Sequence, residues 1–525
     1  MANKKLYITT PIYYSSGAPH IGHAFTTLTV DVFGRYKSLI GYDVYFLTGL
    51  DEHGQKIQEK AEENSMQPQE WCDYIAGKFL DLWKKLDIGN NIFIRTTDVQ
   101  HVKAVQKIFS YYLEKGLSYL GEWKSLYCVG CEEPYTDSEA IKHEDGELYC
   151  RVGHKLITKS EPSYFFKMSQ FNGWIDEYLK AHKDFIYPEA RANEMFSSFI
   201  NQGVEDLSIS RTSVPWGIPI LENPQHTVYV WLDALFNYVT ALGFMSDDDS
   251  KFKEVWQDPE TEIVHFMSKE ITRFHCIYWP IFLNNIGCRL PNKIISHGWI
   301  VTPKGKMSKS FGNVINPLDL IDEFGSDAVR YYFAKESSFE SDMVFSRELF
   351  INTYNNDLAN IYGNLISRFN GLVNKYANGV ISKGSSKDSN FTNELNIVKN
   401  NVIDGTEELI NSYKVNELIY KVLELGKAAN KYVEETKPWV LIKEGKEEEI
   451  KSFLFNLADS IRVFTILLAP ILVKSTEKIK EHMNFSDEQL KYANIKKSDL
   501  LENHKLSART SSIFPRFENN ELDGD

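Results

Sequence analysis

The sequence predicts an α/β protein whose parallel sheet is interrupted by an insertion and followed by a bundle of helices. Three observations support this prediction: a strand, loop, helix, strand pattern over residues 6–47, a break in that rhythm over residues 115–225, and helical periodicity after Asn352. The chain has 525 residues, more than one hydrophobic core usually organises. We therefore expect several domains.

The opening segment is typical of a βαβ unit. An apolar stretch from Leu6 to Ile12 precedes turn residues 15–19, a helical stretch to about Ile40 and a second apolar stretch over residues 43–47. Such units build Rossmann-like sheets, whose ligands lie beyond the carboxyl ends of the strands, where helix N-termini offer N–H groups to phosphates. We expect these residues at such a site: His20, Gly22 and His23 at the helix start, and Asp51 after the next strand.

The rest of the chain supplies the insertion and the bundle. The α/β pattern stops at a cysteine cluster, resumes at residues 228–231 and continues to residues 294–298. Beyond Asn352, apolar residues recur at spacings of three and four, and we expect only helices there. The predicted boundaries are residues 1–115 and 227–298 for the two halves of the α/β domain, 116–226 for the insertion, 299–352 for a connecting region with a basic loop, and 353–525 for the helical domain.

The composition is that of an ordinary globular chain. Hydrophobic residues make up 43% and aromatic residues 13%. The apolar stretch near the N-terminus is too short for a signal peptide and no run of eighteen apolar residues occurs, so we expect a cytoplasmic protein without a membrane partner. The six cysteines fit reduced thiols or a metal site better than a disulfide framework.

The net charge of −14 argues against sequence-independent binding to nucleic acid, because such binding depends on Lys and Arg that neutralise phosphates. It does not exclude a single shaped RNA site. Residues 351–525 carry 23 basic and 25 acidic side chains, so nearly all the negative excess lies before them. The helical domain is therefore the part that repels RNA least.

The first motif is Pro19-His20-Ile21-Gly22-His23 at the start of the first predicted helix. An imidazole at this position can donate a hydrogen bond to a phosphate oxygen, and Gly22 has no side chain to keep a nucleotide base from the backbone. Taken alone, the string is also compatible with an ordinary helix start that carries two surface histidines.

The second motif is Lys306-Met307-Ser308-Lys309-Ser310, between Gly305 and Gly312. Two lysines in a loop flanked by glycines suit a cationic clamp that stabilises the charge developing on a departing pyrophosphate. A chance match to this string is on the order of one in a million per position. A solvated basic loop is therefore the weaker interpretation.

Together the two motifs resemble the signatures of the class I aminoacyl-tRNA synthetases. The resemblance implies a Rossmann-like class I catalytic domain with an inserted connective domain, followed by an all-α anticodon-binding bundle. It also implies attack of an amino-acid carboxylate on the α-phosphate of Mg²⁺-bound ATP, then transfer to tRNA. The catalytic residues that it implies are His20, His23, Lys306 and Lys309.

Further strings look like the methionine-specific branch of these synthetases over nearly the whole chain. They are Thr10-Pro11-Ile12-Tyr13-Tyr14, Gly49-Leu50-Asp51-Glu52-His53-Gly54, Val230-Trp231-Leu232-Asp233-Ala234, Phe274-His275 with Tyr278-Trp279-Pro280, and His297-Gly298-Trp299. This resemblance implies L-methionine, ATP and tRNA(Met), including the initiator, as partners. The chain ends without the extra domain that dimerises some relatives, so we expect a monomer.

The resemblance assigns two groups of site residues. The implied methionine site consists of Ile12, Tyr14, Asp51, Trp231, Ala234, Leu235, Tyr238, Ile271 and His275. The implied ATP site consists of His20, Gly22, His23, Glu270, His297, Gly298, Trp299, Ile300 and the loop residues Lys306, Met307, Ser308, Lys309 and Ser310. Glu270 stands where the family usually has an aspartate for the ATP ribose. Core packing is the alternative interpretation of the aromatic residues taken singly.

A cysteine cluster marks the insertion. Cys128 and Cys131 are followed by Cys150 and His154, a set that can bind one tetrahedral zinc. The last pair is Cys-x3-His, looser than the family's usual Cys-x2-Cys or Cys-x2-His, and some relatives have no metal. A structural zinc and a metal-free remnant held by packing are both open.

The helical domain carries three residues that resemble the family's anticodon readers. Asn364 and Arg368 are four residues apart and share one helix face, and Trp439 follows Pro438. Anticodon bases can stack on an indole, and Asn and Arg can hydrogen-bond their Watson–Crick edges. An exposed polar face and a tryptophan at a helix start are the alternative interpretation.

Other functions fit less well. The leucine, isoleucine and valine enzymes need a large editing insertion, for which residues 116–226 leave no room. A cysteine enzyme would need metal ligands in the substrate pocket. A small nucleotidylyltransferase could share the first motif, but not the loop with a bundle behind it. A non-catalytic tRNA-binding paralogue should have lost His20, His23, Lys306 or Lys309, and all four are present.

Overall fold

The computed structural model describes residues 4–131, 133–135, 139–143, 145–303, 305–306, 315–387, 389–507 and 513–518. The chain opens with the predicted βαβ unit. Its elements are β1 (Lys5–Thr9), β2 (Tyr13–Tyr14), α1 (Ile21–Leu39), β3 (Asp43–Asp51), α2 (Gln55–Glu63), α3 (Pro68–Lys85), β4 (Ile92–Arg95) and α4 (Val99–Glu114).

Short strands dominate the next segment. They and their helices are β5 (Ser118–Cys128), β6 (Glu133–Tyr135), β7 (Ile141–Lys142), β8 (Leu148–Tyr149), β9 (Ile157–Phe166), α5 (Asn172–Ala181), β10 (Ile186–Tyr187), α6 (Glu189–Ser198), β11 (Leu207–Ser208), β12 (Ser210–Arg211), β13 (Pro219–Ile220) and β14 (Asn223–Val228). Long antiparallel pairing of β5 with β9 organises one small sheet, and β14 with β12 and β13 organises another.

The α/β pattern then resumes. Its first element is a helix, since the preceding strand β14 pairs within a small sheet of the insertion. The elements are α7 (Val230–Thr240), β15 (Glu262–Ser268), α8 (Trp279–Asn285), β16 (Lys293–His297), β17 (Ile300–Thr302), β18 (Gly305–Lys306), α9 (Pro317–Phe324), α10 (Ser326–Glu336), β19 (Met343–Val344) and α11 (Arg347–Thr353). A short 3₁₀ turn at Lys269–Ile271 and a π-helical turn at Phe274–Tyr278 lie between β15 and α8.

The helical domain opens with a π-helical stretch at Tyr354–Gly363. Its elements are α12 (Asn364–Ala377), β20 (Val380–Ile381), α13 (Asn390–Asn411), α14 (Val415–Thr436), α15 (Pro438–Lys443), α16 (Glu447–Leu468), α17 (Val473–Met483), α18 (Asp487–Leu490) and β21 (His504–Lys505). The expectation of helices alone is wrong in one detail, because β20 pairs with β21. Among the described residues, no helix is both long and apolar enough to cross a membrane.

The central sheet has the order β10-β16-β15-β1-β3-β2, and β4 also pairs with β3. Its pairings are parallel, as the βαβ pattern predicts. The two-residue strand β10 comes from within residues 116–226 and pairs with β16. Part of the predicted insertion therefore belongs to the central sheet.

Both faces of the sheet are covered by hydrophobic clusters. Alternate residues of β1 separate accordingly, because successive side chains of a strand point to opposite faces. Leu6 and Ile8 join a cluster that continues into the helical domain. Tyr7 joins the cluster that includes α7 and α8. The helical domain thus shares its core with one face of the catalytic sheet.

Helix α1 links the sheet to the helical domain. It begins at the first motif, and near its other end the Tyr36 hydroxyl donates to the Leu467 carbonyl at 2.7 Å. The buried guanidinium of Arg330 donates to the carbonyls of Leu86, Pro470 and Ile471 and lies 2.6 Å from an Asp31 carboxylate oxygen. A buried charge is stable only when it is paired and hydrogen-bonded, as this one is.

Candidate active site

A cavity of about 830 Å³ opens beyond the carboxyl ends of β1, β3 and β15. It is lined by every residue predicted for the methionine site: Ile12, Tyr14, Asp51, Trp231, Ala234, Leu235, Tyr238, Ile271 and His275. Two residues of the predicted ATP site, Glu270 and Trp299, also line it. The structure therefore brings together residues that are up to 287 positions apart in the sequence.

One face of α7 forms the apolar wall of the cavity. Trp231, Ala234, Leu235 and Tyr238 are spaced by three, one and three residues, which places them on one side of a helix. The Trp231 ring stacks on Phe274 with 3.4 Å between centroids and 12° between planes. Phe274 was not predicted for the site, although it directly precedes His275.

A neutral Tyr–His pair closes the inner end of this wall. The Tyr238 hydroxyl lies 2.7 Å from His275 Nε2, and His275 Nδ1 lies 3.0 Å from the Ile271 carbonyl oxygen. A carbonyl only accepts, so Nδ1 carries the hydrogen and Nε2 accepts from Tyr238. Burial lowers the pKa of His275 to about 4 and raises the pKa of Tyr238. The pair is therefore uncharged at neutral pH.

Asp51 supplies negative charge to the cavity. It is the last residue of β3 and is almost fully buried. The Ser15 amide donates to the Asp51 carbonyl at 2.9 Å, and β2 pairs beside it. A carboxylate on a fixed backbone, in a cavity with an apolar wall, suits a ligand that has an ammonium group at one end and an apolar side chain at the other.

The first motif forms the N-terminus of α1 and lies outside the cavity lining. His20 Nδ1 accepts from the Gly22 amide at 3.1 Å, and the His20 amide donates to His23 Nδ1 at 3.1 Å. In a neutral ring the hydrogen then resides on Nε2. A Cβ at Gly22 would lie 3.0 Å from the His20 ring, so glycine permits this tight cap.

The predicted ATP residues after β16 connect to α1. The Thr26 hydroxyl lies 2.8 Å from His297 Nε2, and burial lowers the pKa of His297 to about 4. Gly298 runs close to a neighbouring segment, because an added Cβ would lie 2.5 Å from the Ser341 carbonyl oxygen. Ile300 is buried in β17.

The basic loop is only partly described. Lys306 ends β18, but its side chain and the residues Met307, Ser308, Lys309 and Ser310 lie outside the described part of the chain. The cavity is also lined by charged residues that the sequence analysis did not predict for the site. Lys269 lies 2.6 Å from Asp342 and 4.0 Å from the Trp299 ring centroid. Helix α6 adds Arg191 and Glu194, which carry no recognisable sequence pattern.

The cysteine cluster forms a compact four-ligand set. The ligand atoms of Cys128, Cys131, Cys150 and His154 all lie within 4.8 Å of one another. The sulfurs of Cys131 and Cys150 are 3.9 Å apart, and His154 Nδ1 is 3.4 Å from Cys131 and 3.5 Å from Cys128. Zinc–sulfur bonds of about 2.3 Å in a tetrahedron place two sulfurs about 3.8 Å apart. The donor set therefore fits zinc.

The cluster also touches the cavity, since Cys131 lines it. The Lys56 ammonium donates to the Gly130 carbonyl at 2.8 Å and ties the cluster to α2. A Cβ at Gly130 would lie 2.7 Å from the His154 ring, so glycine between the first two cysteines leaves room for the imidazole. The cluster is thus packed against the site, although its residues lie in the insertion.

The three predicted anticodon residues lie in the helical domain, away from the cavity. Asn364 is exposed at the start of α12, and Arg368 is partly exposed and lies 3.4 Å from Glu434. Trp439 is 42% exposed in α15. Glu434 lies in the last turn of α14, five residues before Trp439, so the contact with Arg368 brings α12 close to the junction of α14 and α15.

Two family models match this chain. One, described as tRNA synthetases class I (M), matches residues 6–370. The other, described as the anticodon binding domain of methionyl tRNA ligase, matches residues 386–523. The parallel sheet, the cavity at its carboxyl edge and the helical domain are those of the class I tRNA synthetases.

Individual relatives narrow the assignment. Methionine–tRNA ligases of Ureaplasma parvum and Bacillus subtilis are 50% and 42% identical over 98% of this chain, which covers 99% and 78% of them. The structure of Mycobacterium tuberculosis methionyl-tRNA synthetase in complex with methionyl-adenylate matches with a TM-score of 0.92 at 32% identity, covering 98% of this chain and all of that one. This chain belongs to the methionine-specific family of class I tRNA synthetases.

Proposed function

We propose that this chain activates L-methionine with ATP and transfers it to the 3′ end of tRNA(Met), the initiator included. The cavity carries this proposal, because it combines a carboxylate, an apolar and aromatic helix face, and a neutral Tyr–His pair. The ammonium group and thioether of methionine have the chemistry that these walls accept. Sulfur against aromatic edges contributes about 0.3–1.5 kcal/mol.

Within this proposal Asp51 pairs with the methionine ammonium, and the backbone of Ile12, between β1 and β2, contacts the same ammonium. Tyr14, Trp231, Ala234, Leu235, Ile271 and His275 surround the side chain together with Tyr238. The Tyr238–His275 pair is the specificity element. A hydrocarbon analogue would lose the favourable contact between sulfur and these rings, which lowers its affinity.

Activation is the attack of the methionine carboxylate on the α-phosphorus of ATP. The bond from that phosphorus to the bridging oxygen breaks, and pyrophosphate leaves with its Mg²⁺. We assign the stabilisation of these charges to His20, His23, Lys306 and Lys309, with no covalent enzyme intermediate. Gly22, Glu270, residues 297–300 and residues 307, 308 and 310 complete the ATP site.

Transfer follows when a terminal tRNA hydroxyl attacks the methionyl carbonyl and AMP leaves. Asn364, Arg368 and Trp439 read the anticodon in this proposal, in a domain spanning residues 353–525. Residues 1–115 and 227–298 form the catalytic domain, 116–226 the insertion and 299–352 the connection. A monomer in the cytoplasm is the expected state.

A structural zinc bound by Cys128, Cys131, Cys150 and His154 completes the proposal. The spacing of the four ligand atoms supports it. Its role would be to hold the insertion against the cavity, because the cluster contributes Cys131 to the lining. None of the four ligands takes part in the chemistry.

The decisive experiment is amino-acid-dependent exchange of pyrophosphate into ATP by the purified protein without tRNA. Each of the twenty amino acids is offered separately. We expect exchange with methionine alone. Exchange with another amino acid would retain the class I reaction and refute the pocket assignment, and no exchange at all would favour a tRNA-binding protein without catalytic activity.

A further inference from the structure

The residues that follow Asp51 are held by separate buried contacts. Glu52 is fully buried, and both of its carboxylate oxygens accept from Arg95 Nε, at 2.8 and 3.0 Å. The hydroxyl of Thr97 donates to the same carboxylate. His53 has a different partner, and its Nδ1 lies 2.7 Å from Asp233 Oδ2. Glu52 and His53, the two residues after Asp51, are therefore clamped by different partners.

Asp233 connects this clamp to a second histidine. It is fully buried, and its other oxygen lies 2.7 Å from His101 Nε2. His101 Nδ1 lies 2.7 Å from the Thr240 hydroxyl. Although burial opposes ionisation, His53 and His101 lower the pKa of Asp233 to about 2. The carboxylate thus stays charged and accepts from one N–H on each ring.

The position of Asp233 on α7 shows which parts of the site the network connects. It belongs to α7, between Trp231 and Ala234, but faces away from the cavity that those residues line. One face of α7 therefore forms the methionine side-chain pocket, and another binds His53 in the segment that follows Asp51. Arg95, Thr97 and His101 lie within one stretch of seven residues. Arg95 and Thr97 hold Glu52, and His101 holds Asp233 on α7.

We propose that Asp233, His53 and His101 are positioning residues for methionine, which fix the distance between the Asp51 carboxylate and the pocket on α7. This inference rests on the proposed function. The ammonium and the thioether of methionine are separated by a fixed chain of carbons, so both contacts form only when those two walls keep their spacing. A small displacement at such a site has a large kinetic effect.

The test is Asp233→Asn in the methionine-dependent exchange of pyrophosphate. The amide keeps the size of the side chain but offers one acceptor in place of two. We expect the KM for methionine to rise about tenfold while the KM for ATP stays within about twofold. The second readout is competitive inhibition by 4-(methylthio)butanoate, which has the thioether and carboxylate but no ammonium. Its inhibition constant should not change.

Three further variants distinguish the inference from simple misfolding. His101→Gln keeps an N–H that can reach Asp233 and should retain most of the affinity for methionine, whereas His101→Leu should lose it. Asp459→Asn is the matched control, because Asp459 is a buried carboxylate that binds Lys399 and Arg462 at 2.7 Å in the helical domain. It should lower stability and leave the KM for methionine unchanged.

The outcomes separate this inference from the proposed function. If the unaltered chain fails to exchange pyrophosphate with methionine, the proposed function itself is wrong. If it does exchange, and Asp233→Asn lowers kcat or the folded fraction without changing the KM for methionine, the network is merely structural. An equal loss of affinity for 4-(methylthio)butanoate would also refute the inference, because it would show a damaged pocket instead of a changed spacing.

Discussion

The Tyr238 hydroxyl donates to His275 Nε2 across 2.7 Å, and the ring of His275 is fixed in turn by the carbonyl of Ile271. Each hydrogen in this relay has one acceptor, so neither ring can rotate without losing a buried hydrogen bond. The relay joins α7 to the turn before α8 across the inner end of the cavity. Its geometry therefore determines which side chains the pocket accepts.

Replacing Tyr238 with phenylalanine should weaken both stability and selectivity. It leaves His275 Nε2 buried without a donor, which costs about 1–3 kcal/mol of unfolding free energy. We expect a higher KM for methionine and poorer discrimination against norleucine in pyrophosphate exchange. Tyr112→Phe is the control, since its buried hydroxyl donates to the Phe282 carbonyl outside the cavity. Equal kinetic changes in both variants would contradict the assignment.

Replacing Trp439 with alanine should separate the two halves of the reaction. The exposed indole lies in the helical domain, so its loss should reduce tRNA charging about tenfold or more through lost base stacking, and leave exchange unchanged. The aromatic control is Tyr420→Ala, which removes a 48% exposed ring in the same domain. Parallel loss of charging and exchange would indicate a structural tryptophan.

Lys309→Ala should slow pyrophosphate exchange about a hundredfold, because a cation aimed at developing charge is lost. The fold should be unaffected, which circular dichroism and thermal unfolding can verify. Lys383→Ala, an exposed lysine of the helical domain, provides the comparison. An unchanged exchange rate in Lys309→Ala would refute the role of the basic loop.

Acid should destabilise the protein through its buried histidines. The pKa of His275 is near 4 in the folded chain, against 6.5 for an ordinary histidine, and burial is the main cause. Between these pH values the unfolded chain binds more protons. Stability is therefore fully present above about pH 6.5 and falls toward pH 4, by about 1.4 kcal/mol per pH unit for this group.

Urea unfolding at pH 7.5, 6 and 5 measures this dependence. His275→Gln removes the titrating group, so the slope of unfolding free energy against pH should flatten relative to the unaltered chain. Replacing the exposed His182 in the same way should leave the slope unchanged. A steep slope that persists in His275→Gln would assign the acid sensitivity to other groups.

Zinc content should be one ion per chain, measured by atomic emission on protein purified without chelators. Cys150→Ala should abolish it, because three remaining ligands hold the ion far less tightly. Cys288→Ala, which removes a buried cysteine elsewhere, should retain it. Metal-free protein with full activity would instead support a remnant held by packing.

The sequence pattern predicted Asp51 at the site because it follows a strand, and strand ends of a parallel sheet converge. The other cavity residues were predicted from the family resemblance. The sequence could not predict β10, since a two-residue strand has no periodicity to detect. The Glu52–Arg95 and His53–Asp233 contacts span 43 and 180 positions, and no local pattern encodes such pairings. The contribution of helix α6 to the cavity lining could not be predicted either, because the position of α6 depends on how the insertion packs.

The buried contacts between the catalytic domain and the helical domain, around α1, limit where the chain can be divided. A chain cut near residue 352 would keep Arg330 and Asp31 but lose the Pro470 and Ile471 carbonyls, and Phe33 would lose its stacked partner Tyr413. A severed half would thus present a guanidinium that has lost two of its hydrogen bonds, and an exposed hydrophobic face, to water. The helical domain is therefore not an independently exchangeable unit. Recombination between homologues should succeed only when the residues on both sides of these contacts come from the same parent.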